Sequence, residues 1–302
     1  MNGIGTIVNI LAVLVGGGFG VLLKGRMKVR YQQILSQTVG LLLIGVGGYA
    51  FINAYFLMTG TDIETDGVFL VIFALVCGLA LGIALNMEKI LTNWGKHLSQ
   101  NAEKDREADD KRRRKLQADL QKAAEKGTPR PQIPLLDRVD VYEMPSVRSG
   151  NLYAEGFVAA TLMVCTNAML FSGVYEDCLN GDTTQLFVKS VIDLVLCFVL
   201  AFIYGGGVLY AAVPLIAIEG GLTLLFLIAN YAPTLGLSDF LFNLVTPTFQ
   251  SQMSLISGVL LMGTGVCLAF DKKFKVANLF PAYLIPVVYE AVKLYLDSLV
   301  EK

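Results

Sequence analysis

Charge is scarce in this chain. Of 302 residues only 16% are Asp, Glu, Lys or Arg, against 54% hydrophobic, and the mean hydropathy of +0.59 excludes a soluble domain. Histidine is nearly missing, with His97 alone, and no nucleophile elbow, phosphate-binding glycine loop or metal-ligand spacing occurs. No catalytic constellation follows, so the chain is expected not to be an enzyme and to need no cofactor or metal. The five cysteines, Cys77, Cys165, Cys178, Cys197 and Cys267, have no paired spacing and read as small apolar residues. Cys178, in the segment YEDCLNGD, is the one expected to be exposed. No basic residue precedes the first apolar run and no small-residue cleavage site follows it, so it reads as a retained helix rather than a secretory signal.

Long apolar runs are plentiful. A bilayer core of about 30 Å needs about 20 helical residues, and eight stretches qualify: residues 4–23, 38–57, 68–87, 156–175, 186–204, 208–229, 253–270 and 276–296. The expected fold is an all-α polytopic transmembrane helix bundle. Its last span is the weakest, because Pro281, Pro286, Glu290 and Lys293 fall in it, and a broken or re-entrant segment is the alternative there.

Counting crossings assigns every second connection to one side, and 21 of the 24 Lys and Arg lie on it, leaving Lys189, Lys293 and Lys302. The positive-inside rule makes that side cytoplasmic and the N-terminus external. The expected location is the plasma membrane of a prokaryote.

Gly40 opens GLLLIGVGGYAF and Gly258 opens GVLLMGTGVCLAF, with glycine at the first, sixth and eighth positions of both. A weaker echo relates VNILAVLVGGG to AVPLIAIEGG. Five crossings separate the members of each pair, so they run in opposite directions, as inverted repeats do. Helix packing through small residues, as at Gly16 with Gly20 and Gly78 with Gly82, is the other account of these glycines. The resulting division is a first repeat over 1–95 (spans 1–3), a charged insert and linker over 96–150, spans 4–5 over 151–205, and an inverted second repeat over 206–302 (spans 6–8). The insert AEKDREADDKRRRKLQADLQKAAEK, residues 102–126, carries acid-to-base pairs four apart and reads as a solvated cytoplasmic helix that prolongs span three. No aromatic residue interleaves its basic cluster, which argues against nucleic acid as a partner.

An ionisable group inside hydrocarbon costs roughly 2.5–3.5 kcal/mol on insertion scales, so each is a candidate site. Glu219, near the middle of span six and followed by Gly220 and Gly221, has no cation on its own helix. Asp193 lies one turn beyond Lys189; the two can pair along one face, or Lys189 can snorkel to the surface. Asn9, Asn167 and Asn278 are neutral polar groups suited to interhelical hydrogen bonds or to substrate contact.

The stretches GTIVNILAVLVGGGFGVLLKG, QTVGLLLIGVGG, NAMLFSGVYEDCLNGD with LFVKSVID, and KVANLFPAYLIP resemble the YqgA/YdfK-type family of prokaryotic membrane proteins, a domain-of-unknown-function family. That resemblance implies a polytopic membrane protein of the kind described as a transporter, with no established substrate. It marks Asn9, Asn167, Lys189, Ser190, Asp193 and Asn278 as motif members without assigning them roles. The expected function is a secondary transporter for a small solute. Glu219 and Asp193 would bind a coupling proton or cation, and the asparagines the solute. A passive channel and a scaffold acting through the insert remain open, and glycine-rich faces make a homo-oligomer plausible.

Overall fold

The computed structural model describes residues 2–23, 29–59, 65–98, 152–167, 169–231, 237–270 and 274–300. They form an all-helical bundle with no strand among them. The charged segment 102–126, the linker after it and Lys272 with Lys273 lie outside the described residues.

In chain order the helices are α1 (Ile4–Leu23), α2 (Val29–Thr59), α3 (Thr65–Leu85), α4 (Met87–Leu98), α5 (Leu152–Cys165), α6 (Met169–Tyr175) and α7 (Thr184–Tyr204). A tightly wound segment Gly206–Ala211 then leads into α8 (Ala212–Leu215), a widened turn Ile216–Gly220, and α9 (Gly221–Tyr231), which together make one stretch. After α10 (Leu237–Leu244) and α11 (Pro247–Phe270), a tight segment Val276–Tyr283 leads into α12 (Leu284–Val300). Among the described residues, seven helical stretches are long and apolar enough to cross a membrane: Ile4–Leu23, Gln33–Met58, Gly67–Leu85, Thr184–Tyr204, Gly206–Tyr231, Pro247–Phe270 and Val276–Leu296. The remaining expected span, the fourth, is a bent pair, Tyr153–Cys165 with Met169–Asn180, turned by 49°.

The break therefore falls in span four rather than in the proline-bearing last span. The Thr166 hydroxyl turns back to the Leu162 carbonyl, and the Asn167 side chain accepts the Met169 N–H at 3.1 Å. Side-chain bonds of this kind compete with the helix ladder and restart it as a cap does. Pro281 is accommodated because Val276–Tyr283 winds tightly before α12 begins.

Three further expectations change. Helix continues past Tyr175 as a widened turn over Glu176–Asn180, so the expected outer loop shrinks. Cys178 is consequently fully buried, with its thiol 3.8 Å from the Thr223 carbonyl. Span three is not prolonged directly: Asn86 adopts a left-handed φ of 52°, a conformation asparagine tolerates, and α4 restarts beyond it.

Glycine decides which helices touch. A Cβ on Gly47 would stand 2.8 Å from the Gly258 carbonyl oxygen, and one on Gly258 2.7 Å from that of Gly47. The same exchange joins Gly40 and Gly265, at 2.7 and 2.6 Å. Thus α2 and α11 run antiparallel, and the first glycine of each echo meets the eighth of the other. The sixth glycines take no part in that seam: Gly45 faces open space and Gly263 faces Val276. Gly78 and Gly82 of α3 meet the backbone of Ala282 and Asn278, again antiparallel. Gly16 and Gly20 of α1 meet the carbonyls of Leu194 and Phe198 on α7, so α1 and α7 run parallel. Outward faces carry exposed apolar residues such as Leu11, Phe19, Leu41, Phe56, Phe73 and Val191, the surface a bilayer solvates.

Candidate functional site

Close approach of α1 to α7 leaves a seam that the widened turn Ile216–Gly220 completes. Lys189 and Asp193 lie one helical turn apart on the inner face of α7, Asn9 comes from α1, and Glu219 from the widened turn. All four are enclosed, with Lys189, Glu219 and Asn9 at 0% exposure and Asp193 at 1%. A widened helical turn carries an extra residue per turn and is found disproportionately at functional sites. Here it holds the one acid of its span, while Gly220 and Gly221 face no close packing partner.

Lys189 is the hub. Its Nζ donates to Asp193 Oδ2 at 2.6 Å and to Glu219 Oε2 at 3.0 Å. Asn9 Nδ2 donates to the same Glu219 oxygen at 2.9 Å. One oxygen of Glu219 thus takes two bonds and the other none. Glu219 Oε1, Asp193 Oδ1 and Asn9 Oδ1 are all buried without a protein hydrogen-bond partner. Leaving buried acceptors unpaired costs of order 1–3 kcal/mol each, more for charged groups. Three of them meet in one ion cluster, and buried polar groups left unpaired are exceptions that call for an explanation.

The supports run along the seam between α1 and span six. Thr223 donates its hydroxyl hydrogen to the Glu219 carbonyl at 2.8 Å, which leaves Thr6 the donor in the 2.6 Å contact between the two hydroxyls. Beyond Thr6, the Gly5 N–H donates to Asp177 Oδ2 at 2.9 Å, and Asp177 is fully buried with Oδ1 unpartnered.

Of the residues singled out in the sequence, the fold brings Asn9, Lys189, Asp193 and Glu219 together. Lys189 pairs with Asp193 and does not snorkel. The cation that Glu219 lacks on its own helix arrives from α7. Ser190 is buried on α7, but its hydroxyl returns to the Leu186 carbonyl. Asn167 caps the restart of span four. Asn278 lies elsewhere: it accepts the Glu88 N–H at 3.0 Å, while Glu88 Oε2 accepts the Ala277 N–H at 3.2 Å. Sequence reasoning missed Asp177, Thr6 and Thr223. Asp177 sat in a segment read as a loop, and its apolar neighbours Cys178 and Leu179 were the available signal of burial.

A family model described as a protein of unknown function, DUF554, matches residues 4–291. The chain is 26% identical over 284 residues to the "Uncharacterized membrane protein YdfK" of Bacillus subtilis (strain 168), covering 94% of both chains. It is 27% identical over 139 residues to the "Uncharacterized protein YqgA" of Escherichia coli (strain K12), covering 46% of this chain and 54% of that one. No solved structure matches. The family expected from the sequence is the one found.

Proposed function

The chain belongs to the DUF554 family, and from that premise and the buried cluster we propose that it is a secondary transporter for a small solute, coupled to a proton or cation. One observation carries this reading: Lys189, Asp193, Glu219 and Asn9 form a fully enclosed ion cluster within apolar helices. Intramembrane ionisable groups are costly and belong to substrate or ion pathways by default. A second observation supports alternating access. The glycine echoes of α2 and α11 exchange equivalent contacts, Gly40 with Gly265 and Gly47 with Gly258, as two copies related by a two-fold axis in the membrane plane would. The antiparallel seams of α1 with span six and of α3 with Val276–Tyr283 agree with that axis.

In this reading the N-terminus is outside, the charged insert is cytoplasmic, and the protein resides in the plasma membrane of a prokaryote. The cluster binds the coupling ion, and its neutralisation favours one arrangement of the halves over the other.

The test is uptake of a labelled panel of amino acids, organic acids and inorganic cations into proteoliposomes holding the full chain. Wild type should show saturable uptake of at least one probe. Glu219→Gln and Asp193→Asn should each abolish it while the purified variants remain folded. Unchanged uptake in both removes the coupling role of the cluster. Non-saturating conductance would make the protein a channel instead. Loss of a cellular phenotype on deleting residues 102–126, with uptake absent throughout, would make it a scaffold.

A further inference from the structure

The charges of the cluster do not balance. With all groups ionised, Asp193 and Glu219 contribute two negative charges and Lys189 one positive charge, in a site that none of the three exposes by more than 1%. Among the described residues, the other titratable groups facing it are Cys165 of α5 and Cys197, one turn further along α7. Buried thiols in apolar surroundings stay neutral and supply no counter-charge. From α1 the cluster receives Asn9, which is neutral. An isolated buried charge is expensive enough that the group neutralises instead.

We infer that the cluster holds one exchangeable proton, shared between the carboxyls of Asp193 and Glu219, and that the coupling ion of the transporter proposed above is a proton and not a metal cation. The part concerning coupling rests on that proposal; the bound proton does not. Three features select a proton. The seat between the carboxylates, where a monovalent metal would lie, is taken by the Lys189 ammonium, 2.6 Å from one acid and 3.0 Å from the other. Each acid keeps one oxygen without a protein partner, Asp193 Oδ1 and Glu219 Oε1, and either can carry the hydrogen. Asn9 Oδ1, also unpartnered, adds a neutral acceptor oxygen to the same cluster.

Binding is a simple addition. H⁺ joins a carboxylate oxygen, no protein bond breaks, and the cluster goes from one net negative charge to zero. Lys189 sets the count at one, because its fixed positive charge keeps the second acid ionised. Release of the proton restores two carboxylates competing for a single ammonium, a change that reaches α1, α7 and span six at once.

The test is infrared spectroscopy of the purified full-length protein, in a detergent without ester carbonyls, at neutral pH. Wild type should show a carboxylic-acid C=O component that shifts in D₂O and is lost as pH rises. Replacing sodium by potassium should not affect it. Asp193→Asn and Glu219→Gln should each remove that component, since either variant leaves one carboxylate balanced by Lys189. Asp177→Asn should leave it in place, and Lys189→Met should about double it. If Lys189→Met does not fold, the two charge-neutral variants decide. Retention of the component in both of them, or its displacement by sodium at constant pH, overturns the inference. A wild type that shows the proton but transports no probe defeats the transporter reading and leaves the proton standing. Sodium-driven uptake without the component does the reverse.

Discussion

Two seams of this bundle use the same device to opposite ends. Between α2 and α11, glycines at positions 40, 47, 258 and 265 let backbones touch, and no charged side chain lies between Gly40 and Gly47 or between Gly258 and Gly265. Between α1 and α7, Gly16 and Gly20 again admit a backbone carbonyl, yet span six adds a third member and Lys189, Asp193 and Glu219 are locked inside. The first seam is held by van der Waals contact, which no change of protonation can alter. The second depends on the balance of three charges. Equivalent glycine motifs therefore say where helices approach. They do not say which approach is functional.

Removing the hub of the charged seam should have the largest effect. Lys189→Met takes the cation from the one ionised carboxyl of the Asp193–Glu219 pair, which must stay buried unpaired or take up a proton, and breaking a buried ion pair from one side costs about 3–5 kcal/mol. Thermal unfolding of the purified protein should show a loss to match. Adding Glu219→Gln to Lys189→Met should recover part of it, because one buried acid then remains to be neutralised instead of two. A single variant as stable as wild type would mean that Lys189 is not what holds the acids in place.

The glycine seam gives a smaller effect with a built-in control. Gly47→Ala places a methyl 2.8 Å from a backbone carbonyl that cannot rotate away, and overpacking of this kind costs about 1–3 kcal/mol. Gly45→Ala, two residues earlier, meets nothing within 4 Å and should gain up to about 1 kcal/mol of helix propensity. Opposite signs of the two shifts in unfolding temperature are expected. Equal losses would show that both positions matter through something other than the α2–α11 contact.

Much of this architecture was legible in the chain, for physical reasons that differ by element. Hydropathy locates apolar runs well because lipid demands about 20 helical residues wherever a segment crosses, and Ile4–Leu23 and Val276–Leu296 coincide with the expected bounds. The break in span four was not legible. It depends on the side chains of Thr166 and Asn167 competing with backbone bonds, a local choice that hydropathy does not register. Glu219 and Asp193 were visible as ionisable groups out of place. Their meeting through Lys189 was not, because Lys189 and Glu219 are 30 residues apart in sequence and only the close approach of α1, α7 and the widened turn defines the cluster. Asp177 was hidden by a boundary error: a helix that continues five residues past Tyr175 converts a loop acid into a buried one.

The mildest contrast sets the charged seam against a polar contact at the margin of the apolar spans, where Glu88 lies just beyond Gly67–Leu85. Glu88 and Asn278 clasp the start of α4 to the segment before α12 through two bonds of 3.0 and 3.2 Å. Partial burial raises the Glu88 carboxyl above its ordinary value, against the opposing pull of the Ala277 N–H and the nearby Lys275 charge. A carboxyl whose folded value lies above its unfolded value binds its proton more tightly in the folded state. Its contribution to stability is therefore present at low pH and fades as pH climbs through the raised value. Glu88→Gln keeps the acceptor oxygen and removes the titration. The variant's stability, measured relative to wild type, should then rise from acid toward neutral pH, by less than about 1 kcal/mol because solvent screens a group that is only partly buried. A relative stability that falls over that interval would mean that Lys275 and the Ala277 N–H outweigh burial, and that the clasp depends on ionised Glu88 as the inner seam depends on Lys189.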